Sequence, residues 1–304
     1  MNTLIQSQVL ALLISSLLSS AVYAQEPGQH TGILDAAKIE QLTGAKGKLD
    51  TAENVFKVSV PRSDLTVTVA GVKMSAATGF TSWAAFSFVG EKVMIMGDMV
   101  LQEDQINPVM STALENGIEV TALHNHFLWD TPKVMFMHIG GSGELDNLAS
   151  GVGKVFAKIK ETSTTKITTK PKSFDVSKTS LDPKSIETII GATLEKTGEV
   201  YKATIGRTTQ MDGHTVGKSM GVNTWAVFAG SNDKAIVEGD FAVLESELQG
   251  VLKALRGAGI AITTIHNHMV GESPRIVFLH YWGEGSSNDL AKAFKSALDT
   301  QTKT

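Results

Sequence analysis

Residues 124–138 read HNHFLWDTPKVMFMH and residues 266–280 read HNHMVGESPRIVFLH. The chain has 8 histidines, and six of them stand in these two stretches, at the same three places in each. Working outward, the offset of 142 holds without a gap from Gly97–Gly143 to Gly239–Gly285, with roughly a third of the positions identical. Further upstream, GFTSWAAFSF (79–88) answers GVNTWAVFAG (221–230), and NVFKVSVPR (54–62) answers EVYKATIGR (199–207). ILDAAKIEQLTG (33–44) answers SLDPKSIETIIG (180–191). Self-similarity on this scale marks a duplicated unit. The copies have drifted apart while the histidines stayed.

The repeat sets the organisation: a first domain over 25–160, a linker over 161–180 and a second domain over 181–304. The linker, ETSTTKITTKPKSFDVSKTS, is rich in Thr, Ser and Lys and poor in large apolar residues, the composition of a connecting strap. Each copy predicts a short helix with Asp35 or Asp182 as N-cap, Pro183 at the first position of the second, and Gly44 or Gly191 at the end. Alternating strands follow (VFKVSV, LTVTV, WAAFSF and VMIMG in the first copy). Then come a helix over EDQINPVMSTALENG or ESELQGVLKALRGAG, strands at 118–126 and 133–139 or 260–268 and 275–281, and a last helix at 143–160 or 287–300. The second half of each copy is therefore β-α-β-β-α, the order of a split, ferredoxin-like unit. The fold class is α+β: two tandem copies of a mostly antiparallel sheet with helices packed on it.

The chain opens MNTLIQSQVLALLISSLLSSAVYAQEP. Its apolar run is too short for a membrane-spanning helix, and Val22-Tyr23-Ala24 suits signal-peptidase cleavage before Gln25. Residues 1–24 read as a signal peptide, although a basic leading region is missing, and the mature protein is expected in the periplasm or secreted. No transmembrane segment is expected in the mature chain. With 0 cysteines, disulfides, thiolate metal sites and a lipid-anchored cysteine are excluded. A net charge of −4 and a pI near 6.1 offer no basic field for nucleic acid.

In a strand, residues i and i+2 project from the same face about 7 Å apart. His124 and His126 thus point together, as do His266 and His268, and paired imidazoles at a strand end are natural ligands for a first-row metal. Asp130 and Glu272 follow four residues on, each before a Pro that fixes the turn. His138 and His280 close the pattern H-x-H-x3-[E/D]-x7-H. Nitrogen and carboxylate donors suit a divalent transition metal, zinc first, over calcium or magnesium. The spacing resembles the first ligand motif of cupins, but the predicted helices do not fit an all-β barrel. A regular hairpin would set His280 opposite about residue 262, more than about 10 Å along the strand from His266. Histidine pair plus carboxylate is thus the expected triad, with Ile260, Ile262 and Thr264 on the face of His266.

Other repeated residues read differently. Trp83 and Trp225 are expected in the core, Asp98 and Asp240 as turn caps after a Gly or as partners that hold a histidine tautomer, and Arg62 and Arg207 in salt bridges rather than on an anion. Trp129 and Tyr281-Trp282 lie beside the histidine segments, as pocket walls or as packing. His30 and His214 have no counterpart role. No P-loop, G-x-S-x-G, G-x-G-x-x-G or H-E-x-x-H occurs, so nucleotide and serine-triad chemistry find no support.

YKATIGR (201–207), VPRSDL (60–65), NPVM (107–110), ALHNH (122–126), ESP (272–274) and FLHYWG (278–283) carry a resemblance over essentially all of the mature chain. The sequence resembles a bacterial exported family named after the mycobacterial lipoproteins LppY and LpqO, a domain of unknown function. It departs from that family in having no lipid-anchor cysteine and in placing Asp130-Thr131-Pro132 where Glu-Ser-Pro is expected. The resemblance implies export and no particular activity. The residues themselves point to a metal-binding protein, with metal-dependent hydrolysis of an unidentified substrate as one outcome. Two alternatives stay open: non-catalytic metal buffering, and a metal-free module binding a small molecule or envelope partner, its histidines structural.

Overall fold

The computed structural model describes residues 34–164 and 178–302. In the first copy α1 (Ala36–Thr43) leads to β1 (Gly47–Asp50), β2 (Val55–Pro61) and a small ribbon of β3 (Thr68–Val69) and β4 (Val72–Lys73). Long strands β5 (Thr81–Val89) and β6 (Lys92–Gln102) follow, then α2 (Glu103–Glu115), β7 (Glu119–His124), β8 (Asp130–Thr131), β9 (Val134–Gly143) and α3 (Leu145–Thr164). The second copy begins with α4 (Pro183–Ile190), β10 (Glu195–Thr197), β11 (Val200–Gly206), β12 (Thr209–Met211) and β13 (His214–Val216). It continues through β14 (Asn223–Gly230), β15 (Ala235–Leu244), α5 (Leu248–Gly257), β16 (Ala261–His266), β17 (Ile276–Gly285) and α6 (Ser287–Leu298). The class is α+β, as expected.

Local chemistry sets the helix ends. The Lys38 N–H donates to Asp35 at 3.0 Å and the Lys184 N–H to Asp182 at 3.0 Å, relieving orphan donors of the first turn. Gly44 and Gly191 close α1 and α4 in the left-handed region, at φ +67° and +71°, where a Cβ is penalised. Helix α3 continues to Thr164, four residues into the predicted linker; 165–177 lie outside the described residues, as do the predicted signal peptide and His30. Beyond the gap the Ser180 N–H donates to the Gly230 carbonyl at 2.7 Å. Among the described residues no helix is long and apolar enough to cross a membrane.

Twelve strands form one sheet in the order β1-β2-β5-β6-β9-β7-β16-β17-β15-β14-β11-β10. In each copy the last strand (β9 or β17) lies between the two strands joined by the middle helix, which is the split arrangement the sequence predicts. The order also reads the same from either edge, so the copies are related by a pseudo-twofold between β7 and β16, paired antiparallel with Ile265 opposite Leu123. Among the described residues all six helices cover one face, where a single apolar core runs through both copies, including Val109, Leu123, Val152, Val251, Ile265 and Phe294. The other face carries two small clusters, one around Phe80 and Phe136, the other around Val222 and Phe278.

Both β7 and β16 contain a register shift, between Val120 and Ala122 and between Ile262 and Thr264. An extra residue in one strand flips the side chains beyond it to the other face. Ile260 and Ile262 therefore enter the helix-side core while His266 projects from the open face, which corrects the expectation that they share one face. The same region is tied across the pseudo-twofold. The Gln249 carboxamide accepts from the Val120 N–H at 3.0 Å and donates to its carbonyl at 2.8 Å. Asn107, its counterpart, accepts from the Ile262 N–H at 2.8 Å and donates to its carbonyl at 3.4 Å. Each carboxamide stands in for a strand edge, offering one donor and one acceptor.

The repeated arginines are buried structural ions, as expected. Arg62 forms a two-pronged pair with Asp64, both contacts at 2.9 Å, and reaches Gln105 at 3.1 Å. Arg207 pairs with Glu247, which also accepts from the Thr302 N–H at 2.9 Å. Burial alone would raise the Glu247 pKa, but hydrogen bonds from Arg207, Thr302 and the Leu244 N–H outweigh it and hold the carboxyl at about 2.

Two outcomes follow from these contacts. Asn107→Ala or Gln249→Ala leaves a buried N–H and C=O unpaired and lowers unfolding free energy by about 1–3 kcal/mol, measurable by urea denaturation. Glu247 has a folded pKa below its unfolded value, so its contribution is complete above about pH 4.5 and is lost as pH falls toward 2. Glu247→Gln should abolish that acid-dependent component, roughly 3 kcal/mol, in denaturation curves taken across the window.

Candidate metal centre

The bulge in β16 decides which face His266 projects from, and the pairing beyond it decides where the histidines meet. Past the bulge the pairing is regular and sets His280 opposite Thr264 and Phe278 opposite His266, two residues nearer His266 than the hairpin expected from the sequence. The His266 and His280 rings then lie 5.0 Å apart and nearly parallel, which overturns the expected separation of more than 10 Å. His268 lies past the strand end and folds back over Phe278, ring on ring at 3.5 Å. From there it is 5.1 Å from His266, and its Nε2 stands 3.3 Å from Asp240 Oδ2. Ligand atoms of Asp240, His266 and His268 all lie within 4.8 Å of one another, a group able to hold a metal ion.

Asp240 was expected first as a turn cap, with a partner to a histidine as the alternative. It lies instead within β15, buried, opposite both Trp225 and His280. Burial pushes its pKa up to about 6, with His280 pulling the other way. Burial, reinforced by His280 and His268, pushes His266 down to about 4, so this imidazole is neutral near pH 7 and keeps a lone pair. Burial also lowers His268, while a hydrogen bond to the Gly221 carbonyl opposes that. His280 Nδ1 lies 3.0 Å from the Gly239 carbonyl. A carbonyl only accepts, so Nδ1 carries the proton and Nε2 is left as the donor atom for a metal, the usual outer-shell device for orienting a ligand imidazole.

The first copy places the corresponding rings similarly, but among the described residues only Asp240, His266 and His268 bring their ligand atoms within 4.8 Å of one another. His124 lies 5.0 Å from both His126 and His138, and His126 stacks on Phe136 at 3.4 Å. His138 Nδ1 lies 3.3 Å from the Gly97 carbonyl, and Asp98 sits opposite His138. Burial lowers the His126 pKa, and Asp98 acts against it.

The predicted carboxylates take another place. Glu272 Oε1 accepts from the Ile276 N–H at 3.2 Å and Asp130 Oδ2 from the Val134 N–H at 2.8 Å, each capping the start of the returning strand. Both follow-on prolines are in cis peptide bonds. The carboxylate within the compact group is therefore Asp240, and Glu272 is outside it. Among the described residues, the buried side-chain atoms without a hydrogen-bond partner are Asp98 Oδ1, Asp130 Oδ1, Asp240 Oδ1, Thr264 Oγ1, His266 Nδ1 and Glu272 Oε2. Those of Asp98, Asp240, Thr264 and His266 lie in or beside the histidine clusters, whereas Asp130 and Glu272 cap the returning strands and Asp130 Oδ1 lies 3.8 Å from Lys133 Nζ. An unpaired buried polar atom costs about 1–3 kcal/mol, so their concentration at the clusters is the mark of groups arranged for something other than the fold.

Sequence reasoning also missed the tryptophans. Trp83 pairs with Asp98 across β5 and β6, and Trp225 with Asp240. Both are half-buried on the open face, under Lys57 and Lys202 at 3.8 and 4.5 Å from the ring centroids. Tyr281 is core, its hydroxyl donating to the Trp225 carbonyl at 3.0 Å, while Trp129 is 77% exposed. His214 sits exposed in the β12–β13 ribbon and joins neither cluster. A signal for Asp240 was present: Gly-Asp recurs at 97–98 and 239–240 with the histidine offset of 142.

A family model described as Domain of Unknown Function (DUF1259) matches residues 37–158 and again 184–300. No curated protein matches the chain. Among solved structures it is similar to one titled "Crystal structure of a trimeric bacterial microcompartment shell protein PduB", at 12% identity over 84% of this chain and 89% of that one. The TM-score is 0.19, too low to carry any statement about fold or function.

Gly239 supplies the carbonyl that orients His280, and a Cβ there would collide with the Trp225 carbonyl and the Tyr281 ring. Gly239→Ala should therefore cost about 1–3 kcal/mol through overpacking. Thermal denaturation should show its melting temperature below that of the parent chain.

Proposed function

The chain belongs to the family described as Domain of Unknown Function (DUF1259), matched twice in tandem, and from its own residues we propose an exported protein that binds a divalent transition metal. The primary ligands are Asp240, His266 and His268, with His280 beside them. Asp98, His124, His126 and His138 are their counterparts in the first copy, where the ligand atoms do not gather as closely. The observation that carries this reading is the gathering of unpartnered buried donor atoms around neutral imidazoles, since a cation would satisfy them together. Zinc suits a nitrogen-rich, oxygen-containing set. Glu272, whose second oxygen has no hydrogen-bond partner, and Asp130, whose second oxygen is paired with Lys133 at 3.8 Å, are retained as outer carboxylates.

The leader-like residues 1–24 and the motifs shared with the LppY/LpqO family support export to the periplasm or beyond. With three protein ligands, a zinc site keeps a position for water whose pKa the ion lowers toward 7. On this reading the protein is a metal-dependent hydrolase acting on a small molecule or envelope component. The 5.0 Å approach of His280 to His266 favours a second reading: a fourth ligand closes the coordination shell, as metal storage requires.

Elemental analysis of tag-free protein tests the metal. The parent chain should retain at least one ion, and His268→Ala or Asp240→Asn should lose about one per chain while keeping the parent far-UV spectrum. Unchanged metal content in both variants would refute the ligand assignment. Cobalt-loaded protein then separates the readings: a visible spectrum that shifts on adding azide indicates an open position, and an unresponsive one indicates storage.

A further inference from the structure

Away from the histidines, where α2 and α5 meet, the molecule holds a cavity of about 250 Å³. It is lined by Ser111, Leu114 and Glu115 of α2 and by Lys253, Arg256 and Gly257 of α5. Under the offset of 142 these are three positions taken once from each copy, so the cavity lies on the pseudo-twofold. All three positions have diverged. The first copy supplies a hydroxyl, an apolar side chain and a carboxylate, and the second supplies two cations and a bare glycine.

Arg256 differs from the other arginines of the chain. Arg62, Arg207 and Arg275 stand against Asp64, Glu247 and Glu245, whereas among the described residues no carboxylate pairs with Arg256. Its half-buried guanidinium is nonetheless held in place. Nε donates to Ser111 Oγ at 3.1 Å and Nη1 to the Ile260 carbonyl at 2.6 Å, which leaves Nη2 without a protein acceptor. Burial lowers the Arg256 pKa, as expected of a cation that has lost water without gaining a counter-ion. The nearby ends of α2 and α5 favour cations at these positions, but they give Nη2 no atom to bond. Lys253 is exposed beside it, and Glu115 pairs with neither cation. Two cations against one carboxylate leave a single positive charge in excess.

We infer that this cavity binds a small organic monoanion, its carboxylate on Arg256 Nη2 and the Lys253 ammonium and its short apolar body against Leu114. Charge-assisted bonds from a guanidinium already fixed in place suit a carboxylate. The volume falls below the range of about 300–1,000 Å³ that holds drug-sized ligands, so the occupant is small. Leu114 and the methylene stems of Lys253 and Arg256 give it an apolar wall. Because both copies line the cavity, an occupant joins α2 to α5 and stabilises the seam between the two halves. The site is independent of the metal reading, since none of its residues belongs to the open face.

The test uses the full chain, with butyrate and its neutral isostere butyramide as probes at constant ionic strength. Binding is read from the NMR shifts of the Ser111 and Gly257 backbone amides. Butyrate should saturate one site, roughly tenfold or more tightly than butyramide, and more tightly than inorganic phosphate. Arg256→Met should weaken butyrate by a similar factor. Should that variant fail to fold, Lys253→Ala, at an exposed position, should weaken butyrate binding, and Glu115→Gln, which removes the opposing charge, should tighten it. Shifts that stay linear with concentration, equal binding of butyramide, tighter binding of phosphate, or unchanged butyrate affinity in Arg256→Met or Lys253→Ala would each overturn the inference.

Discussion

One extra residue in each central strand governs the rest of this structure. Strict alternation along β16 would place Ile262 and His266 on one face, leaving either an isoleucine outside the core or imidazoles among the helices. Burying polar groups without partners costs several kcal/mol, and exposing a large apolar side chain forfeits about 1.5–3 kcal/mol. The bulge removes the conflict by turning Ile262 inward and His266 outward, onto the face where the regular pairing beyond it sets His280. Held across the pseudo-twofold by Asn107 and Gln249, the irregularity is a built feature of the sheet.

The two faces divide the labour. The helix face contributes cohesion: one apolar core shared by both copies, closed at its edges by buried arginine pairs. The open face concentrates the unpartnered donors, the depressed imidazoles and the raised carboxyl. These groups have settled geometry through carbonyl contacts and ring stacking, so a ligand meets a site already shaped. Binding to the folded state alone would stabilise the chain in proportion to the logarithm of ligand concentration. The copies are not equivalent, since the second has Thr264 and Glu272 at the positions of Ala122 and Asp130 in the first.

Much of this was legible in the sequence. The repeat, the aspartate caps, the glycine stops and the split β-α-β order follow from spacing and local chemistry alone. The pairing of His266 with His268 was equally plain. The bulge was not, because register is decided by what lies on both faces of a strand and by partners more than a hundred residues away, such as Asn107 opposite Ile262. Asp240 was passed over because it stands on another strand, two positions across the sheet from His266, and a Gly-Asp pair ordinarily reads as a turn. Glu272 attracted attention through its fixed distance from the histidines, yet that distance also suits a cap on the following strand.

The palindromic strand order has one more consequence. Cut at its middle, the sheet yields two halves that each end in a central strand with an open hydrogen-bonding edge and a helix bearing the carboxamide meant for the other side. Such a half is complementary to its own image under a twofold rotation. A single copy of this unit, on its own, already encodes the surface of a symmetric homodimer.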